Sequence, residues 1–160
     1  MATPTSLPAS FVSGAILTAA QQNDLRGAFR VLQVLSASTN SPVSSTSTTF
    51  ADIGLSVTIT PQSTTNKILL VASTSIYASI NSAEAGIRVL RGATNIFTSR
   101  QAILASLTGG AFTSIMLDSP ATTSATTYKV QGARDAGTGT INFQVSALAV
   151  STLLVCEISA

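Results

Sequence analysis

The sequence predicts an all-β chain: an antiparallel β-sandwich or jelly roll, preceded by an extended N-terminal arm and one short helix. Three observations carry that prediction. Short segments alternate apolar and polar residues at period two, the pattern of strands with one buried face. Turn residues separate these segments at regular intervals, and none of the helices that a parallel α/β sheet needs lies between them. No repeat of about 20 to 50 residues is present, which excludes a solenoid or a propeller. The chain divides into residues 1–29, an arm and helix for docking, and 30–160, the sandwich domain.

Composition sets the class of surface. With 160 residues the chain fits one domain with a real core. Charged residues make up 9%, against an ordinary share of about 25%, and the mean hydropathy is +0.45. Ser and Thr number 46, so hydroxyls do most of the solvating. A surface so poor in charge points to subunit contacts, since interface cores are depleted in charge. A Ser/Thr-coated monomer is the other reading. The eight basic residues are scattered and the net charge is +2, which does not suit nucleic acid. No apolar run approaches the ~20 residues that span a bilayer. No positive segment precedes an apolar run, so no signal peptide is expected. The single Cys156 excludes an intrachain disulfide and reads as a small core residue.

Met1 to Gly14 is the arm. Pro4 and Pro8 exclude a helix interior and favour extended backbone. Leu7, Phe11 and Val12 are its expected anchors, either on a partner or folded back on the same domain. Leu17 to Phe29 is the expected helix. Thr18 and Gln21 form a T-x-x-Q capping box, and Leu25 and Phe29 share a face four residues apart. With Ile16 and Leu17 these residues make a candidate docking clamp; a lid over one end of the sheet is the alternative.

Arg30 to Ser38 is the first strand. Thr46 to Phe50 is a possible edge strand, and 51–54 is a turn. Leu55, Val57 and Ile59 alternate with Ser56, Thr58 and Thr60 as a half-buried strand ended by Pro61. Asn66 to Ile80 is the longest strand. Ile68, Leu70, Ala72, Ile76, Ala78 and Ile80 fall on one face; Leu69, Val71, Ser73, Ser75, Tyr77 and Ser79 fall on the other. Residues 85–91 and 96–100 flank Gly92 to Asn95 as a hairpin. Residues 111–117 form a strand, and so do 126–134, with Tyr128 and Val130 inward and Lys129 and Gln131 outward. Ile141, Phe143 and Val145 alternate after the turn at 135–139. Thr152 to Ser159 is the last strand, apolar on both faces like Asn66 to Ile80. These two strands are expected to lie centrally, beside each other and beside a subunit interface formed by Leu69, Val71, Tyr77, Leu153, Val155 and Glu157. Glu157 must reach solvent or a partner, because an unpaired buried carboxylate is costly.

Nothing in the sequence assembles a catalytic centre. There is no His, so neither a Ser-His-Asp system nor a His-based zinc site can form. No Walker A, G-x-S-x-G or G-x-G-x-x-G pattern occurs. Asp118 and Asp135 both fall in expected loops and are the one carboxylate pair worth testing; two turn aspartates are the simpler account. No enzyme activity, cofactor or metal is expected. Aromatics at 5% with no Trp give no platform for stacking on sugars.

Two stretches resemble known proteins. Ser10 to Arg26 (SFVSGAILTAAQQNDLR) resembles the F-x-x-G-x-x-L-T-A-A-x-x-N segment of many tailed-phage virion proteins. Further on, VLQV (31–34), STSTTFADIGLSVTITP (45–61), TTNKILLV (64–71) and STLLVCEI (151–158) are similar to a β-module of phage tail fibres and head-decoration proteins. The matches touch nearly the whole chain, each in a degenerate pattern. The resemblance implies a jelly roll like that of tumour necrosis factor, usually trimeric about its central strands, and a place in the virion. No shaft separates arm from β-module. That favours a homotrimeric capsid decoration or cement protein bound to the major capsid protein over a short tail-fibre tip or receptor-binding knob. A knob would meet a host-surface receptor through the loops at 81–84, 109–110 and 135–139.

Overall fold

The computed structural model describes residues 30–79, 83–103, 109–146 and 148–159, together with Gly14, Ile16, Thr18 and Ala19. Among these residues ten strands follow one another: β1 (Val31–Thr39), β2 (Val43–Ser45), β3 (Ala51–Ile59), β4 (Lys67–Ala78), β5 (Ala83–Arg91), β6 (Thr94–Ile103), β7 (Gly109–Asp118), β8 (Thr126–Ala136), β9 (Ile141–Phe143) and β10 (Ser151–Ile158). Every pairing is antiparallel. The longest strand and the last strand are neighbours, with Leu153 opposite Ala72 and Val155 opposite Leu70.

Two sheets result. The first, sheet A, runs β1–β10–β4–β7. The short strands β2 and β9 extend β1 and β10 beyond the end of their ladder. β9 pairs with Ile76 to Ala78 while β7 holds the other flank of β4, so β9 and β10 lie on the same side. The second, sheet B, runs β3–β8–β5–β6. Six of the nine connections between the described strands cross from one sheet to the other; β1–β2, β5–β6 and β9–β10 stay within a sheet.

Alternation builds the core. Ile53, Leu55, Val57 and Ile59 of β3 point inward with Ile87 and Val89 of β5 and Tyr128 and Val130 of β8. They meet Ile68, Leu70, Ala72 and Ile76 of β4, Leu153 and Val155 of β10, and Ile141 and Phe143 of β9. The packing is tight enough to dictate a glycine: a Cβ on Gly132 would collide with the edge of the Phe143 ring. Phe97 and Phe112 close the β6–β7 corner with ring centroids 6.4 Å apart. At one end, Arg91 grips both oxygens of Asp118 at 2.8 and 2.9 Å, and the Tyr128 hydroxyl donates to Asp118 at 2.7 Å. Burial and this carboxylate push the Tyr128 phenol well above its ordinary range.

Several local expectations change. Residues 46–50 form no strand; β2 lies earlier, at Val43–Ser45. Residues 51–54 are not a turn but the start of β3, where Gly54 at φ +84 forms a bulge that keeps the strand paired with β8. The hairpin between β5 and β6 is two residues, Gly92 and Ala93, with Gly92 at φ +57. Asp135 belongs to β8 rather than to a turn. The run Ile141, Phe143, Val145 stays a strand only to Phe143. The expected arm and helix fall almost wholly outside the described residues; of them Ile16 is 94% exposed.

Candidate functional site

The outer face of sheet A is the most unusual surface of the domain. Its composition follows from register. Val34 on β1 lies opposite Cys156 on β10, Cys156 opposite Leu69 on β4, and Leu69 opposite Leu117 on β7. The next row outward is Ser36, Leu154, Val71 and Ile115. Val31 and Ile158 pair at the margin. One apolar row thus runs across all four strands, and a second across β10, β4 and β7 with Ser36 at its β1 end. Ile115 is 69% exposed and Leu117 61% exposed. Beyond them the face turns hydroxylic: Ser38, Thr152, Ser73 and Thr113 form one row, and Ser75, Ala111 and Tyr77 follow. Among the described residues of these rows there is no charged side chain. Lys67, at the margin, donates to Ser119 Oγ at 2.8 Å.

The expected interface residues divide. Leu69, Val71 and Tyr77 lie on this outer face, each half-buried. Leu153, Val155 and Glu157 do not. All three are fully buried inside the sandwich, and a side chain already enclosed by its own domain offers nothing to a partner. The outward residues of β10 are instead Thr152, Leu154, Cys156 and Ile158. Glu157 is satisfied within the chain: Gln33 Nε2 donates to it at 2.6 Å, the Gln62 backbone N–H at 2.7 Å and Asn66 Nδ2 at 2.6 Å. This carboxylate ties β1 and the β3–β4 turn to β10. Of the docking set, Leu7, Phe11, Val12, Leu17, Leu25 and Phe29 lie outside the described residues.

Sequence reading missed Val34, Leu154, Ile115 and Leu117 as members of this face. The signal available was the alternation of Ile115 and Leu117 with Ser114 in residues 111–117. It placed them on one side of a strand but not on which side.

The outer face of sheet B is polar and internally paired. Asp52 accepts from Gln131 Nε2, and Lys129 Nζ lies 3.1 Å from it. The Gln131 hydrogen bond and Lys129 hold the Asp52 carboxyl below its ordinary range. Arg88 donates from Nε to Gln131 Oε1 at 2.7 Å, and its guanidinium sits 4.6 Å from the centroid of Phe50. Phe50 lies over Gly86, where a Cβ would come within 2.8 Å of the ring. Arg100 pairs with Asp135.

The two poles of the sandwich also differ. Arg30, from which residues 1–29 lead away, is fastened at the Lys67 end of β4: its N–H donates to Ser159 Oγ at 2.9 Å, and the Ser159 N–H donates back to its carbonyl at 2.9 Å. Glu84, Gly109, Gly110 and 135–139 sit at the opposite end, level with Ala78. Asp118 and Asp135 lie at opposite poles, each in an ion pair, so they form no carboxylate dyad. Among the described residues, no group of three His, Cys, Asp or Glu is placed to hold a metal, and no helix is long and apolar enough to cross a membrane.

No protein-family model matches the sequence, and no curated protein matches it. Among solved structures the chain is similar to the VP2 subviral particle of infectious bursal disease virus, at 12% identity over 79% of this chain and 32% of that one, TM-score 0.42. It is likewise similar to the Gx strain of that virus, at 14% identity over 80% and 37%, TM-score 0.42. For derived T=1 particles of a VP2 mutant the values are 13%, 81% and 37%, TM-score 0.45. The chain spans about a third of the length of these proteins. At TM-scores below 0.5 the likeness carries no argument about what this chain does.

Proposed function

We propose that this chain is a virion structural protein that assembles as a homotrimer through the outer face of sheet A and decorates a capsid, with residues 1–29 as its tether. One observation carries the reading: one apolar row crosses the whole outer side of sheet A and a second crosses β10, β4 and β7, while the outer side of sheet B carries the joined Asp52, Lys129, Gln131 and Arg88. A contiguous apolar surface of that breadth marks an interaction site, and its lack of charge matches the core of a subunit interface. The arm leaves from one pole, so three arms would leave a trimer on the same side, toward the major capsid protein. The phage-like segment at Ser10 to Arg26 supplies the virion setting. A protein that binds only the intact shell stabilises it by mass action.

Deletion of residues 1–16 tests the tether. The shortened protein is expected to remain a folded trimer in sedimentation analysis and to lose binding to capsids. Wild-type occupancy on capsids would refute the tether. A second reading, a receptor-binding knob, draws on the loops gathered at the pole opposite the arm. It predicts that purified protein blocks adsorption to host cells.

A further inference from the structure

The inner face of sheet A is not apolar throughout. Toward the Lys67 end stands the row of Val155, Leu70 and Met116, and toward the other end Phe143 pairs with Ile76. Between these levels the inward side chains of β4 are Ala72 and Thr74, and Ser114 stands opposite Ala72 on β7. Thr74 pairs with Phe112, so Thr74 and Ser114 are diagonal neighbours on one face, with Cβ atoms about 7 Å apart. On the other flank of β4, Ser151 Oγ accepts the Ser75 N–H at 3.2 Å.

The polar atoms at this level are enclosed and left over. Thr74 is fully buried and Ser114 is 6% exposed. Among the described residues neither Thr74 Oγ1 nor Ser114 Oγ has a hydrogen-bond partner, and the same holds for Gln144 Oε1. Gln144 is fully buried beside β4, and its left-handed backbone, at φ +52, turns its amide onto Ser151. The Gln144 N–H donates to the Ser75 carbonyl at 3.2 Å and Nε2 donates to Ser151 Oγ at 2.8 Å, which leaves Oε1 over. A buried polar atom without a partner forfeits the bonds it makes to water in the unfolded chain, and folded interiors satisfy nearly all such atoms. Three of them at one level point to a shared ligand. The inward residues at these two levels, Ala72, Thr74, Phe112, Ser114, Ser151 and Leu153, carry no charge, so an ion would find no counter-charge there. The ligand must be small and neutral, and must both donate and accept.

We propose that water is bound inside the sandwich at this level, one molecule bridging Thr74 Oγ1 and Ser114 Oγ and a second linking Thr74 Oγ1 to Gln144 Oε1. Each hydroxyl donates one bond and accepts two, and the amide oxygen accepts. Two waters therefore satisfy all three atoms. Buried waters take such positions, bonded to polar groups that the chain cannot pair by itself. The short side chains of Ala72, Thr74 and Ser114, set between the longer Leu70, Met116 and Ile76, leave space beside the polar atoms.

Relaxation dispersion of the water oxygen, measured on the full chain, registers waters held for longer than the molecule takes to tumble. Thr74→Val keeps the shape of the side chain and removes its hydroxyl. Ser114→Ala removes the other hydroxyl with little loss of volume. Neither change threatens the fold, and circular dichroism checks this. Both variants are expected to lower the dispersion amplitude below that of wild type. In urea unfolding Thr74→Val is expected to lower the folding equilibrium constant roughly tenfold, as loss of a typical hydrogen bond does. A hydroxyl that truly lacked a partner would behave in the opposite way, since an apolar group of the same shape would be neutral or stabilising in its place. An unchanged amplitude in either variant, or a Thr74→Val protein at least as stable as wild type, overturns the proposal.

Discussion

The outer faces of the two sheets invite comparison because the same alternation builds both. On sheet B the outward positions carry Asp52, Lys129, Gln131 and Arg88, joined to one another by hydrogen bonds and ion pairs, with Phe50 laid across Gly86. On sheet A the equivalent positions carry Val34, Cys156, Leu69, Leu117, Leu154, Val71 and Ile115. The inward residues decide the fold and are much alike on the two sheets. The outward residues are free of that duty, so their difference reports on surroundings: sheet B is finished for water, and sheet A for contact.

The strongest way to break this comparison is to place a charge on each face in turn. Leu69→Asp on sheet A is expected to abolish association in sedimentation analysis, since an unpaired carboxylate buried between copies costs far more than the contact gains. Thr58→Asp on sheet B is expected to leave association unchanged and shift stability by no more than about 0.5 kcal/mol. Equal effects from the two would erase the distinction.

A second variant separates interior from interface. Glu157→Ala leaves the donors from Gln33, Gln62 and Asn66 without their acceptor inside the domain, and a loss of about 3 kcal/mol is expected in urea unfolding. Because Glu157 points inward, the loss should be the same at every protein concentration. A loss that grew on dilution would return Glu157 to the subunit contact.

The smallest effect is expected on sheet B. Asp52 is held below its ordinary carboxyl range, so the stability it contributes is present above the unfolded value and is lost as pH falls through the folded value. Its side chain is 57% exposed, and exposed pairs are worth about 0.2–1 kcal/mol. Asp52→Asn should therefore cost no more than that near neutral pH and flatten the acid limb of the stability profile by the same amount. A larger acid dependence would mean that the sheet B network does more than solvate a face.

Much of the fold was legible because period-two alternation is a local property. Residues 55–59 and 126–130 show one apolar face each, and their inward side follows at once. The two doubly apolar strands could be recognised as central and adjacent for the same reason. Their phase could not. In Thr152 to Ser159 both sides are apolar, and moving the strand by one residue exchanges them. Leu153, Val155 and Glu157 do share one face as expected, but that face turns inward because Gln33, Gln62 and Asn66 wait there for the carboxylate. Val145 illustrates the other limit. It continues the alternation of Ile141 and Phe143, yet the chain leaves the sheet at Gln144, whose left-handed backbone is stabilised by Ser75 and Ser151.

Residue order alone already calls for an antiparallel β-chain with a solvating coat of hydroxyls, a short supply of charge and no His for a triad or a His-based metal centre. Those properties belong to residue types and their spacing, which no partner strand can alter. Folding settled which of two apolar faces became core, that Asp52, Lys129 and Arg88 share the outer face of sheet B, that Arg30 and the Glu84 end of the sheets lie at opposite poles, and that the strand breaks at Gln144. Each of those outcomes depends on strands brought together from distant parts of the chain, and only the closed sandwich brings them into contact.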